Sequence, residues 1–143
     1  MFLIIITPLV AGLIAQTIKF IIQTNKLKFS LKNSLSYSGM PSSHSALVCS
    51  LAIMIGLQEG FYSPLFGFAI IFALIIIRDA LGLRRYLGYH STIINRLIKD
   101  LKEDDLVDER YPRLLENIGH TPTQVVVGGL IGLLVSWLMF FFV

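Results

Sequence analysis

The stretch TPTQVVVGGLIGLLVSWLMFFFV, residues 121–143, decides the fold. It carries no charged side chain, and its length meets the roughly 20 apolar residues that an α-helix needs to cross a bilayer. Three further runs approach the same character, at 2–22, 41–57 and 61–77. The first stays apolar or weakly polar until Lys19, the second is short and Ser-rich where it begins, and the third ends at Arg78-Asp79. A chain of 143 residues with 55% hydrophobic and only 15% charged residues is not an ordinary soluble domain, and its mean hydropathy of +0.73 agrees. The expectation is a single all-α domain over residues 1–143, an integral membrane bundle of about four transmembrane helices. Met1 is followed directly by apolar residues, and no small-residue cleavage site precedes Lys19. The first run therefore reads as a retained span rather than a secretory signal.

Charge sets the expected orientation. All 12 Lys and Arg residues fall in two places. Lys19, Lys26, Lys28 and Lys32 lie at or after the end of the first span. Arg78, Arg84, Arg85, Arg96, Lys99, Lys102, Arg110 and Arg113 lie between the third and fourth. Four spans bring both loops, about 23–40 and 78–120, to one side, which the positive-inside rule makes cytoplasmic; both termini then face outward. A cell-membrane location is expected. The sequence pI near 9.2 thus reads as topology and attraction for anionic lipid, with no nucleic-acid partner. Trp137, Phe140, Phe141 and Phe142 fit an outer interfacial belt.

Within the second loop, residues 91–102 place Ile93, Ile94, Leu97, Ile98 and Leu101 on one helical face and Asn95, Arg96, Lys99 and Lys102 on the other. With Ser91 as its N-cap, this predicts a cytoplasmic amphipathic helix lying on the bilayer or on the other helices. The acidic run from Glu103 to Glu109 lacks the alternation and central glycine of a calcium loop and reads as a solvated turn. Cys49 is alone, so no intramolecular disulfide forms, and it reads as a small buried residue. Gly128 and Gly132 make a small-xxx-small step suited to helix packing, including packing in a homo-oligomer.

Two polar words stand where apolar runs begin: Ser38-Gly39-Met40-Pro41-Ser42-Ser43-His44 and Gly119-His120-Thr121-Pro122. Proline suits a first helical turn, and the unpaired N–H groups and dipole of such a turn favour an anion. The second and fourth spans run in the same direction, so His44 and His120 are expected on one membrane face, flanked by Lys19, Arg84 and Arg85. The combination suits phosphoryl chemistry. Cations and the backbone N–H groups of Ser42 and Ser43 would hold phosphate oxygens. One histidine would attack phosphorus while the other protonates the leaving oxygen. The scheme calls for no metal and no cofactor, and His44, His90 and His120 lack compact zinc-ligand spacing.

These motifs resemble the divergent branch of the type 2 phosphatidic acid phosphatase superfamily, which also contains vanadium-dependent haloperoxidases. The resemblance rests on Gly-Met-Pro-Ser-Ser-His-Ser-Ala-Leu at 39–47, on Arg78-Asp79-Ala80 with Arg84-Arg85, and on Gly-His-Thr-Pro at 119–122, followed by Val125, Gly128, Gly129 and Gly132. It implies that Pro41-Ser42-Ser43-His44 is the second motif, with His44 as leaving-group acid, and that His120 is the third-motif nucleophile. The third-motif aspartate that orients the nucleophile falls on Gln124, and the third-motif arginine falls on Leu114, one position from Arg113. The first motif survives as Lys19-x6-Lys26-Leu27. Arg84 and Arg85 are stand-ins for the guanidiniums, and Asp79 and Glu116, beside Gln124, for the orienting group. A partial echo, Arg84 to His90, makes His90 a second place to look for the nucleophile. The implied function is hydrolysis of a lipid or isoprenoid phosphate or diphosphate. The alternatives are a non-catalytic protein that binds anionic lipid headgroups and a small membrane scaffold subunit.

Overall fold

The computed structural model describes residues 2–24, 39–103, 114–116 and 118–143, and among these every regular element is helical. Lys26, Lys28 and Lys32, the acidic run beyond Glu103, and Arg110 and Arg113 lie outside the described residues. In chain order the helices are α1 (Phe2–Thr24), α2 (Ser43–Glu59), α3 (Pro64–Leu81), α4 (Leu83–Glu103) and α5 (Pro122–Phe142). Apolar stretches long enough to cross a membrane are Phe2–Ile22, Pro64–Leu101, which runs through α3 into α4, and Pro122–Phe142.

The shortest apolar helix, α2, is the hub. Ser45, Ala46, Val48, Ser50, Ala52, Met54, Ile55 and Gly56 are all buried along its 17 residues, as expected of a helix that is apolar all round. It packs on α5 most extensively, then on α1 and α3. The α2–α5 pairing is parallel and level. The backbone N–H of Ser42 donates to the carbonyl of Gln124 at 3.0 Å. Gly128 abuts the carbonyl oxygen of Ser42, and Gly132 abuts that of Ala46. The hydroxyls of Ser50 and Ser136 meet at 2.8 Å. On α5 the contacts step by four residues, through 124, 128, 132 and 136, one helical turn at a time, and the small residues at 128, 132 and 136 let the two backbones touch. Gly128 and Gly132 are therefore engaged inside the chain and do not offer this step to a second copy.

Helix α1 runs the other way. Ile4 packs beside Ala52 and Ile55 of α2, whereas Gly12 faces Leu47. Continued along α1, that register brings Lys19, 4% exposed, level with the beginning of α2.

Helix boundaries differ from the sequence reading in informative ways. The second helix starts at Ser43 rather than at residue 41. Ser42 is its cap and accepts the Ser45 N–H, so Pro41 lies outside the helix. The third starts at Pro64 rather than at residue 61, because Ser63 caps it by accepting the Phe66 N–H at 3.2 Å. Phe61 instead folds back, its ring 5.2 Å from that of Phe66 and nearly perpendicular to it. Gly56, beneath Phe61, leaves the room for this. The third helix also continues past residue 77 to Leu81, where the Gly82 N–H closes on the Arg78 carbonyl. What was expected as a loop from residue 78 is thus helical almost at once. The Gly82 carbonyl accepts the N–H groups of Arg85 and Tyr86 and opens α4 eight residues before Ser91, which is an interior residue and not a cap.

Candidate functional site

His120 is placed by its backbone before its side chain is considered. Gly119 holds φ +98, a left-handed conformation that favours glycine, and a Cβ there would sit 2.8 Å from the Arg85 nitrogen. The next N–H, that of His120, donates to the Ala80 carbonyl at 3.0 Å. The chain is therefore pinned to the end of α3 and the start of α4 just before α5 begins. Thr121 then caps α5, and Pro122 occupies its first turn.

The cap reaches back to the histidine. Thr121 Oγ1 accepts the Gln124 N–H at 3.4 Å, and the Gln124 side chain accepts the Thr121 N–H at 3.0 Å, a reciprocal capping box. The same Oε1 lies 3.2 Å from Nδ1 of His120. A backbone N–H can only donate, so the amide oxygen, not its NH₂, must face Thr121. An oxygen can only accept, so Nδ1 of His120 carries the proton and donates it to that oxygen. Nε2 then keeps its lone pair. The residue is 5% exposed. Burial pushes its pKa below the ordinary histidine range; the positive fields of Lys19, His44 and Arg84 act in the same direction, opposed by the Gln124 hydrogen bond. His120 is accordingly neutral near pH 7.

His44 lies in the first turn of α2, exposed, at the end that is level with the start of α5. Ser42 departs from the expected phosphate role. It is fully buried, its N–H is taken by Gln124, and its hydroxyl accepts from Ser45 N–H at 3.3 Å and from the Ser45 hydroxyl at 3.0 Å. Ser43, one position on, is half-buried in the first helical turn. Arg84 Nε donates to Asp79 Oδ2 at 2.6 Å, so Asp79 fixes Arg84 rather than His120. Glu116 Oε1 accepts from Asn95 Nδ2 at 2.8 Å. Of the residues expected to orient His120, Gln124 is the one that touches it.

Beside His120 opens a cavity of about 350 Å³, lined among others by Arg85, Tyr89, Thr92, Glu116 and Gln124. Arg85 Nε donates to the Tyr89 hydroxyl at 3.3 Å. Arg85, Tyr89 and Thr92 come from one face of α4. His90 falls on the opposite side of that helix, roughly 200° from Thr92 at 3.6 residues per turn, and is not among the lining residues. Sequence reasoning placed Asn95 on the polar face of its helix but gave it no part in the site. Its side chain clamps the segment leading to His120, donating to the Leu114 carbonyl at 2.9 Å and accepting the Leu114 N–H at 3.0 Å. The partners are 19 residues apart, and only the presence of a polar residue on the polar face of α4 hinted at it.

An all-helical membrane bundle with a histidine at the N-terminal end of each of two parallel helices is the class that this architecture defines. The chain belongs to the Divergent PAP2 family, whose sequence profile matches residues 3–135, as the motifs at 39–47 and 119–122 implied. The uncharacterized membrane protein YuiD of Bacillus subtilis (strain 168) is 38% identical to it over 150 residues, spanning 96% of this chain and 94% of YuiD. No solved structure matches the chain.

Proposed function

We propose that this protein is a membrane phosphatase that hydrolyses a phosphate monoester or diphosphate carried by a lipid or an isoprenoid. The observation that carries the reading is the His120–Gln124 hydrogen bond, which presents a neutral imidazole with its Nε2 lone pair unprotonated. Nε2 attacks phosphorus and the bond to the leaving oxygen breaks, giving a phosphohistidine. His44 donates a proton to the departing oxygen and then takes one from the water that hydrolyses the intermediate. Lys19, Arg84 and Arg85, with Ser43 at the α2 N-terminus, offset the charge on the phosphoryl oxygens. The Asp79 bridge holds Arg84 in one orientation for that purpose. With α2 counted as a fourth span, the basic loops share the histidines' side of the membrane; by the positive-inside rule that side is cytoplasmic and both termini face outward.

The family membership supports this reading, as does the level α2–α5 pairing that brings the two helix starts together. A second reading, a non-catalytic binder of anionic lipid headgroups, draws on Gln124 itself. A neutral amide orients an imidazole but does not stabilise its cationic form as a carboxylate would. Phosphate release from a panel of lipid and isoprenoid phosphates, measured for the wild type beside His120→Ala, tests the choice. Turnover that disappears in the variant supports the phosphatase. Lipid-dependent thermal stabilisation without turnover supports the binder.

A further inference from the structure

Helix α4 presents two contrasting faces. Leu83, Leu87, Ile94, Leu97 and Leu101 fall within an arc of roughly 80° at 3.6 residues per turn, interrupted by one polar residue, His90, and all five are exposed, Leu83 at 68% and Leu97 at 56%. The other side is engaged: Gly88 lies against the carbonyls of Glu116 and Ile118, Asn95 clamps Leu114, and Arg85, Tyr89 and Thr92 wall the cavity beside His120. An unpartnered aliphatic stripe on a helix with a strongly polar opposite face is the pattern of a helix that lies in a membrane interface.

The neighbouring helix bears on what covers the stripe. A single residue, Gly82, separates α4 from α3, and α3 exposes Ile71, Leu74 and Ile75 as a membrane-crossing helix exposes its side chains to lipid. The stripe therefore begins where the lipid-facing surface of α3 ends, and the apolar phase within reach is the same leaflet. Arg96 and Lys99 lie on the polar side of α4, roughly 140–160° from the middle of the stripe at 3.6 residues per turn, on the side turned away from it.

We propose that α4 docks on the bilayer, with Leu83, Leu87, Ile94, Leu97 and Leu101 in the boundary between headgroups and acyl chains, about 5–10 Å deep. Its opposite face holds the segment that carries His120, so docking fixes the cavity at the depth of lipid headgroups. A phosphate attached to a membrane-embedded tail would reach this cavity without leaving the leaflet. The docking itself does not depend on the phosphatase reading, because it concerns where a helix lies and not what His120 does.

The test uses the full chain reconstituted in phosphatidylcholine–phosphatidylglycerol bilayers, with a spin label at Leu97→Cys or at Arg96→Cys, each in a Cys49→Ser background. Collision with oxygen, enriched in lipid, is compared with collision with a water-soluble nickel chelate. The label at position 97 should favour oxygen and that at position 96 the chelate, and a label at Ile94→Cys should repeat the result for 97. A label at 97 and 94 that meets the chelate more than oxygen overturns the proposal. So does one shielded from both reagents with dipolar coupling between labels, which would put a second copy of the chain on the stripe.

Discussion

The side-chain oxygen of Gln124 accepts the Nδ1–H of His120 at 3.2 Å while also accepting the N–H of Thr121 at 3.0 Å. One atom thus caps α5 and selects the histidine tautomer. Gln124→Ala should remove both effects, lowering stability by about 1 kcal/mol through the lost half of the capping box and turnover by roughly 10–100-fold, the range seen when a metal-bound histidine loses the partner that orients it. Gln124→Glu keeps an acceptor in place and should retain the tautomer. Nitrogen-15 shifts of the His120 ring read this directly: an Nδ1–H tautomer in the wild type and in Gln124→Glu is expected, and a tautomer unchanged in Gln124→Ala would remove Gln124 from its role.

The pH dependence follows from the lowered pKa of His120. A folded-state value below the unfolded one means that the stabilising contribution is complete above the unfolded pKa, about 6.5. It is lost as pH falls through the lower folded value, because the unfolded chain then binds the proton more readily. Turnover should follow the same limb, since a protonated Nε2 cannot attack. Titration of the His120 ring by NMR should give a midpoint below about 6.5; a midpoint above it would contradict the burial argument.

Close backbone contact between α2 and α5 predicts steep costs for small changes. A Cβ at Gly128 or Gly132 would overlap the carbonyls of Ser42 and Ala46, so Gly128→Ala and Gly132→Ala should each lower stability by about 1–3 kcal/mol, as overpacking does. Gly67 in α3 has open space around it, and Gly67→Ala should be neutral or stabilising by up to about 1 kcal/mol. Thermal unfolding in detergent separates the cases.

Sidedness is tested with single cysteines in a Cys49→Ser background. A cysteine at Arg96 should react with an impermeant reagent from the cytoplasm and one at Glu59 from outside. Reaction of both from the same side would break the proposed orientation.

The features that were legible in the sequence depended on counting along the chain. Apolar run lengths gave the bundle, and the direction of successive spans led to the expectation of His44 and His120 on one membrane face; the Ser42–Gln124 contact shows the starts of α2 and α5 to be level. Local cap register was harder. Pro41 and Pro122 sit in similar words, yet Pro122 follows its cap Thr121 whereas Pro41 precedes its cap Ser42. The choice depends on which hydroxyl reaches the third residue of the helix, and a neighbouring helix helps to decide it. Helix α4 is recognised from sequence only from residue 91, inside a loop expected over about 78–120. The aliphatic stripe through Leu83 and Leu87 carries the helix back to Gly82. Asp79 and Glu116 were plausible partners for His120 by charge alone; geometry gives them to Arg84 and Asn95.

The role of His120 as nucleophile is tested most directly by trapping the intermediate. Purified protein is mixed with a lipid phosphate carrying radioactive phosphorus, quenched within one turnover, and assayed for protein-bound label that is stable to alkali and lost in acid, as a phosphohistidine is. Label on the wild type, absent from a folded His120→Ala variant and retained when His44 is replaced and an activated aryl phosphate is the substrate, is the expected result. Label of undiminished amount on His120→Ala would contradict it.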